Sequence, residues 1–79
     1  MTRKELENKI MELVAMSYGK DTSAVSLSTS FKEDLSGASV QMVSLVAEIE
    51  NELDAVIALQ DAAGCATVAD LVTVVEAEL

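Results

Sequence analysis

Between Val40 and Leu53 the chain repeats apolar side chains at the three-and-four spacing of one helical face, and this pattern constrains the fold most. Val40, Val43, Val46 (with Met42), Ile49 and Leu53 form the expected stripe, while Gln41, Ser44, Glu48, Glu50, Asn51 and Glu52 fill the polar remainder. A Ser/Gly-containing loop, Leu35-Ser36-Gly37-Ala38, delivers Ser39 to the start of this helix, at or next to its N-cap. Unpaired backbone N–H groups and the positive end of the helix dipole then lie beside the Ser39 hydroxyl. A phosphodiester formed there would meet those donors. Serine is equally a preferred N-cap with nothing attached. Position alone leaves both readings open.

The rest of the chain reads as further helices. Thr2-Arg3-Lys4-Glu5 is a capping-box pattern, and Leu6, Ile10, Leu13 and Val14 form the buried stripe it introduces, with Met11 or Ser17 at the edges. Gly19 supplies the left-handed residue that ends a helix. Lys20 to Ser30 is a polar connection, long for a bundle, anchored by Val25 and Leu27. Ser30-Phe31-Lys32-Glu33 repeats the capping-box pattern and predicts a short helical turn over residues 31–35. Asp54 to Ala66 is rich in small residues and predicts only a short helix near Leu59 to Ala63. Thr67-Val68-Ala69-Asp70 caps the last helix, whose inner stripe is Val68, Leu71, Val72 and Val75. Without proline, repeat or linker, residues 1–79 read as a single all-α domain.

Charge narrows the partners. Residues 1–32 hold five bases against four acids, whereas residues 33–79 hold ten acids and no base, giving a net −9. That field repels nucleic acid and anionic membranes and draws basic protein surfaces inward. It also keeps an apolar chain soluble. The longest wholly apolar run, Ala55 to Leu59, is too short to span a bilayer, and no basic-then-apolar segment opens the chain, so a cytoplasmic location is expected; the chain is also expected to be a monomer.

Chemistry within the chain is sparse. With no histidine, Ser-His catalysis and imidazole metal sites are absent, and no metal site is expected. Cys65 has no thiol partner and reads as a small buried group. Glu48, Glu50 and Glu52 point in different directions around a helix and make a poor acid/base pair. The chain is not expected to be an enzyme.

Phe31, Glu33, Asp34 and Leu35, then Ser39 and the helix ending Glu50-Asn51-Glu52-Leu53-Asp54, resemble the acyl carrier protein family. That family's pattern is F-x-E-D-L-G-x-D-S-L followed by an acidic helix ending E-E-x-F-D, and the resemblance runs without gaps to Thr67-Val68. It implies a small four-helix bundle, three longer helices plus a short third, whose Ser39 bears a covalent 4′-phosphopantetheine arm. Two positions depart: Ala38 stands where the family has aspartate, and Val40 where it has leucine. In the family that aspartate helps the modifying transferase engage the carrier.

The resemblance also implies a place for cargo and a face for partners. An acyl pocket would be lined by Val43, Val46, Ile49, Leu53, Ile57, Ala62, Cys65, Val68 and Leu71. At about 0.8 kcal/mol per buried methylene, an eight-carbon chain would gain at most roughly 6 kcal/mol there. The same residues would also fill any helical core. Recognition by a phosphopantetheinyl transferase and by acyl-handling enzymes with basic docking patches would fall to Asp34, Val40, Gln41, Ser44, Glu48, Glu50, Glu52 and Asp54. Because Gln41, Ser44, Ala47 and Asn51 are neutral where the family is acidic, weaker or different docking is expected. Carriage of acyl intermediates for fatty acid or related lipid synthesis is the implied function. A polyketide or peptidyl carrier, and an unmodified helical adaptor acting by protein–protein contact, stand as alternatives.

Overall fold

The computed structural model describes residues 1–35 and 39–79, Ser39 through its place in a helix alone. Four helices follow in order: α1 (Arg3–Tyr18), α2 (Ser39–Leu53), α3 (Leu59–Ala63) and α4 (Val68–Ala77). Among the described residues there is no strand beyond one isolated bridge, between Ser30 and Thr67. The all-α, four-helix expectation holds.

Local chemistry sets most helix ends. The Thr2 hydroxyl accepts from the Glu5 amide at 3.1 Å, and the Glu5 carboxylate accepts from the Thr2 amide at 2.8 Å, completing a capping box. Thr67 and Asp70 repeat it at the start of α4. Gly19 closes α1 at φ 64°, a conformation cheap only without a Cβ. Asp54, with φ 53°, takes the left-handed position after α2, where aspartate is among the better tolerated side chains.

The core is aliphatic. Leu6, Ile10, Leu13 and Val14 from α1, Leu45 and Ile49 from α2, and Val68, Leu71, Val72 and Val75 from α4 are all 2% exposed or less. Removing each such side chain from water stabilises the fold by about 1.5–3 kcal/mol. Polar ties register the helices around it. Arg3 reaches Glu7 at 3.2 Å, Glu76 at 2.9 Å and the Thr73 hydroxyl at 3.3 Å, joining the start of α1 to the end of α4. Lys9 meets Glu52 at 3.5 Å, joining α1 to the end of α2.

Three expectations require correction. The buried stripe of α2 is Met42, Leu45, Val46 and Ile49, with Leu53 partly covered; Val40 is 76% and Val43 51% exposed. Both stripes obey helical spacing, and the run of valines masked the better-phased one, which includes Leu45. Residues 31–35 make the expected short turn, the Asp34 amide donating to the Ser30 carbonyl at 2.9 Å, but not the expected capping box. There the Ser30 hydroxyl accepts from the Glu33 amide at 3.1 Å, but Asp34, not Glu33, returns the bond by accepting from the Ser30 amide at 2.8 Å. The connection after α1 also contains a single 3-10 turn, Thr22–Ala24, that the polar sequence did not announce. Its anchors are Val25, buried, and Leu27, half-buried.

Candidate functional site

α2 opens at Ser39, and its own first turn carries no acidic side chain. The expected Ser36–Ala38 loop and the exposed, capping hydroxyl of Ser39 fall outside the described residues. Met42 and Val43, three and four positions further along α2, line a groove of about 640 Å³. Its other walls are Tyr18 at the end of α1, Ser30 to Glu33, Leu59 and Ala63 of α3, and Cys65 with Ala66.

Backbone bonds hold those walls in place. The Phe31 amide donates to the Ala66 carbonyl at 3.1 Å, the Val68 amide to Thr29 at 3.1 Å and the Ala69 amide to Leu27 at 2.9 Å. Residues 27–31 are thereby zipped to the start of α4. Buried Thr29 serves the same loop by accepting from the Ser26 amide at 2.8 Å. Behind the zipper the rings of Phe31 and Tyr18 lie 6.0 Å apart, tilted by 44°, a spacing at which aromatic pairs attract. On the α3 side, the Glu50 carboxylate accepts from the Ile57 amide at 3.0 Å and pins the segment that leads into α3.

The structure divides the residues expected to line a pocket. Val43 and half-buried Cys65 border the groove. Val46, Ile49, Ile57, Ala62, Val68 and Leu71 lie in the core, and Leu53 packs partly buried against it. Sequence reasoning missed Tyr18, Phe31, Met42, Leu59 and Ala63. The signal was available for two of these, since Tyr18 and Phe31 are the sole aromatic residues of the chain.

The residues expected to meet partners are also divided. Val40, Ser44, Glu52 and Asp54 are exposed, while Gln41, Glu48 and Glu50 are half-buried. Three carboxylates have partners within the chain: Asp34 in the Ser30 amide, Glu50 in the Ile57 amide and Glu52 in the Lys9 ammonium. Exposed Val56 and Leu59 add apolar surface that the sequence reading did not assign to any role.

Burial pushes two groove groups away from their ionised forms. The Tyr18 phenol titrates above its ordinary value because burial disfavours the phenolate. The Cys65 thiol is likewise raised, first by burial and then by the nearby carboxylates of Asp70 and Asp61. Its S–H donates to the Asp61 carbonyl at 3.4 Å. Cys65 is therefore a protonated wall residue at neutral pH. Among the described residues no group of three or more His, Cys, Asp or Glu could hold a metal ion, and no helix is long and apolar enough to cross a membrane.

Comparison with known proteins adds the family. The family model described as the phosphopantetheine attachment site matches residues 8–75. Over the full length of both chains, the sequence is 35% identical to an acyl carrier protein of Exiguobacterium sp. (strain ATCC BAA-1283 / AT1b). It is 30% identical, again over the full length of both, to an acyl carrier protein of Exiguobacterium sibiricum. A helical bundle whose long second helix starts at a serine beside an apolar groove, matched end to end by these relatives, belongs to the acyl carrier protein family: a carrier rather than an enzyme, with phosphopantetheine as its cofactor.

Proposed function

We propose that this chain is a monomeric cytoplasmic shuttle bearing its 4′-phosphopantetheine arm on Ser39. On that arm it presents thioester-bound acyl groups to enzymes of fatty acid or related lipid or polyketide synthesis. The observation that carries the reading is the start of α2 at Ser39, one turn before the first groove residues, Met42 and Val43. The residues present suit such a group. The first turn of α2 offers backbone N–H donors and no competing carboxylate to a phosphodiester. The groove beside it has mainly apolar walls.

When bound, the arm supplies a thiol that holds the acyl group as a thioester. The chain's own residues do the rest. Phe31, Met42, Val43 and Leu59 shelter the acyl chain from water, and the helix start orients the attachment. Exposed Val40 and Val43 give partner enzymes an apolar patch. With Asp34, Glu50 and Glu52 already engaged within the fold, fewer carboxylates remain for basic docking patches. Docking here accordingly relies less on charge than in a typical acidic carrier, and its affinity falls less steeply with salt.

Intact mass after incubation with coenzyme A and a broad-specificity transferase tests the reading. A phosphopantetheine increment is expected on the native chain and none on Ser39→Ala. A chain that stays bare with every transferase offered would instead support the unmodified adaptor, which Ala38 in place of the family's aspartate favours.

A further inference from the structure

The groove contains one feature that an ordinary hydrocarbon sleeve does not need. The Tyr18 side chain lines it, yet the phenol oxygen is shut off from solvent and has no hydrogen-bond partner among the described residues. Other polar groups of the walls are placed differently. The Ser30 hydroxyl is engaged by the Glu33 amide and the Cys65 thiol by the Asp61 carbonyl, while Lys32 and Glu33 are exposed. A buried hydroxyl without a partner is unfavourable, and a saturated chain laid against it leaves it so. An oxygen carried by the cargo would relieve it.

Resting on the reading that the arm leaves from Ser39, we infer that the groove selects acyl chains bearing a hydroxyl or oxo group, and that Tyr18 recognises that oxygen by donating its phenolic hydrogen. The ring is positioned for this by Phe31, 6.0 Å away. Because burial raises its pKa, the phenol stays protonated and remains a donor across the physiological range. Access requires the inserted chain to part the walls. Met42, unbranched and adaptable, is the wall residue suited to yield.

The test uses the full chain loaded at Ser39 by a transferase with octanoyl, 3-oxooctanoyl, and 3-, 5- and 7-hydroxyoctanoyl pantetheine, each product verified by intact mass. Thioester loss in water, taken relative to the same acyl group on free pantetheine, reports sheltering. At least one oxygenated chain is expected to hydrolyse about two- to tenfold more slowly than octanoyl, the range one neutral hydrogen bond provides. Tyr18→Phe, which keeps the ring, should abolish that advantage. Contact between the cargo's carbinol or carbonyl carbon and the Tyr18 ring, read by NMR on the native chain, gives the same answer without a variant. Equal or faster hydrolysis of every oxygenated chain overturns the inference, as does an advantage that survives in Tyr18→Phe. A chain that cannot be loaded at Ser39 at all would remove the carrier reading together with this one; loading without discrimination removes this one alone.

Discussion

Along the α1–α4 flank the helices are closed by their own sequences. Thr2 with Glu5 and Thr67 with Asp70 satisfy the first N–H groups, Gly19 turns the chain out of α1, and Arg3 ties α1 to Glu76. The inward residues of α4 are wholly buried. The α2–α3 flank is built otherwise. α3 is five residues long and its N-cap, Ala58, makes no side-chain bond. The segment before it depends on one carboxylate, Glu50. Val40, Val43, Val56 and Leu59 face solvent. One flank thus holds the shape of the molecule, while the other leaves apolar surface available to cargo and partners and draws less stability from it.

Deleting core atoms separates the two flanks most decisively. Leu45→Ala, at a wholly buried position, should cost about 2–5 kcal/mol in denaturant unfolding. Val43→Ala, two residues earlier on the same helix but half exposed, should cost less than about 1 kcal/mol while changing cargo sheltering. Equal losses would mean that Val43 belongs to the core. Next in size is Glu50→Ala, which strips the Ile57 amide of its partner. It should cost about 1–3 kcal/mol, and hydrogen exchange should rise at residues 55–63 ahead of α1 and α4. Uniform acceleration would show that the two flanks open together.

Smaller effects sharpen the contrast. Thr67→Ala should remove about 1 kcal/mol, because its hydroxyl caps α4. Ala58→Ser should add stability at α3, whose N-cap now makes no side-chain bond. The smallest effect is a titration. Bonds from the Thr2 amide and hydroxyl hold the Glu5 pKa below its ordinary value. Its contribution is therefore present above the unfolded-state pKa and is lost as pH falls through the folded one. Acid should fray the first turn of α1, read by amide exchange, and Glu5→Gln should flatten that response.

Helix existence was legible from residues whose meaning is local. A threonine three residues before an acid, or a glycine after a periodic run, fixes backbone bonds within one turn, so α1 and α4 could be read directly, whereas α3 has no side-chain cap and was expected only as a short helix near Leu59 to Ala63. The phase of α2 could not. Val40 and Val43 satisfy the same spacing as Met42 and Leu45, and which pair turns inward depends on where α1 and α4 lie. The groove was least legible, because Tyr18, Phe31, Leu59 and Cys65 come from distant parts of the chain.

By itself the sequence determined an acidic, all-helical chain with a serine at the head of its second helix, because capping, periodicity and net charge act over a few residues or over composition alone. Only the tertiary structure decided that valines of that helix stay exposed, that two of its supposed docking acids, Glu50 and Glu52, have partners within the chain, and that an aromatic pair backs a groove next to the helix start. Those outcomes follow from which surfaces the packed helices cover, and coverage is a property of the assembled bundle.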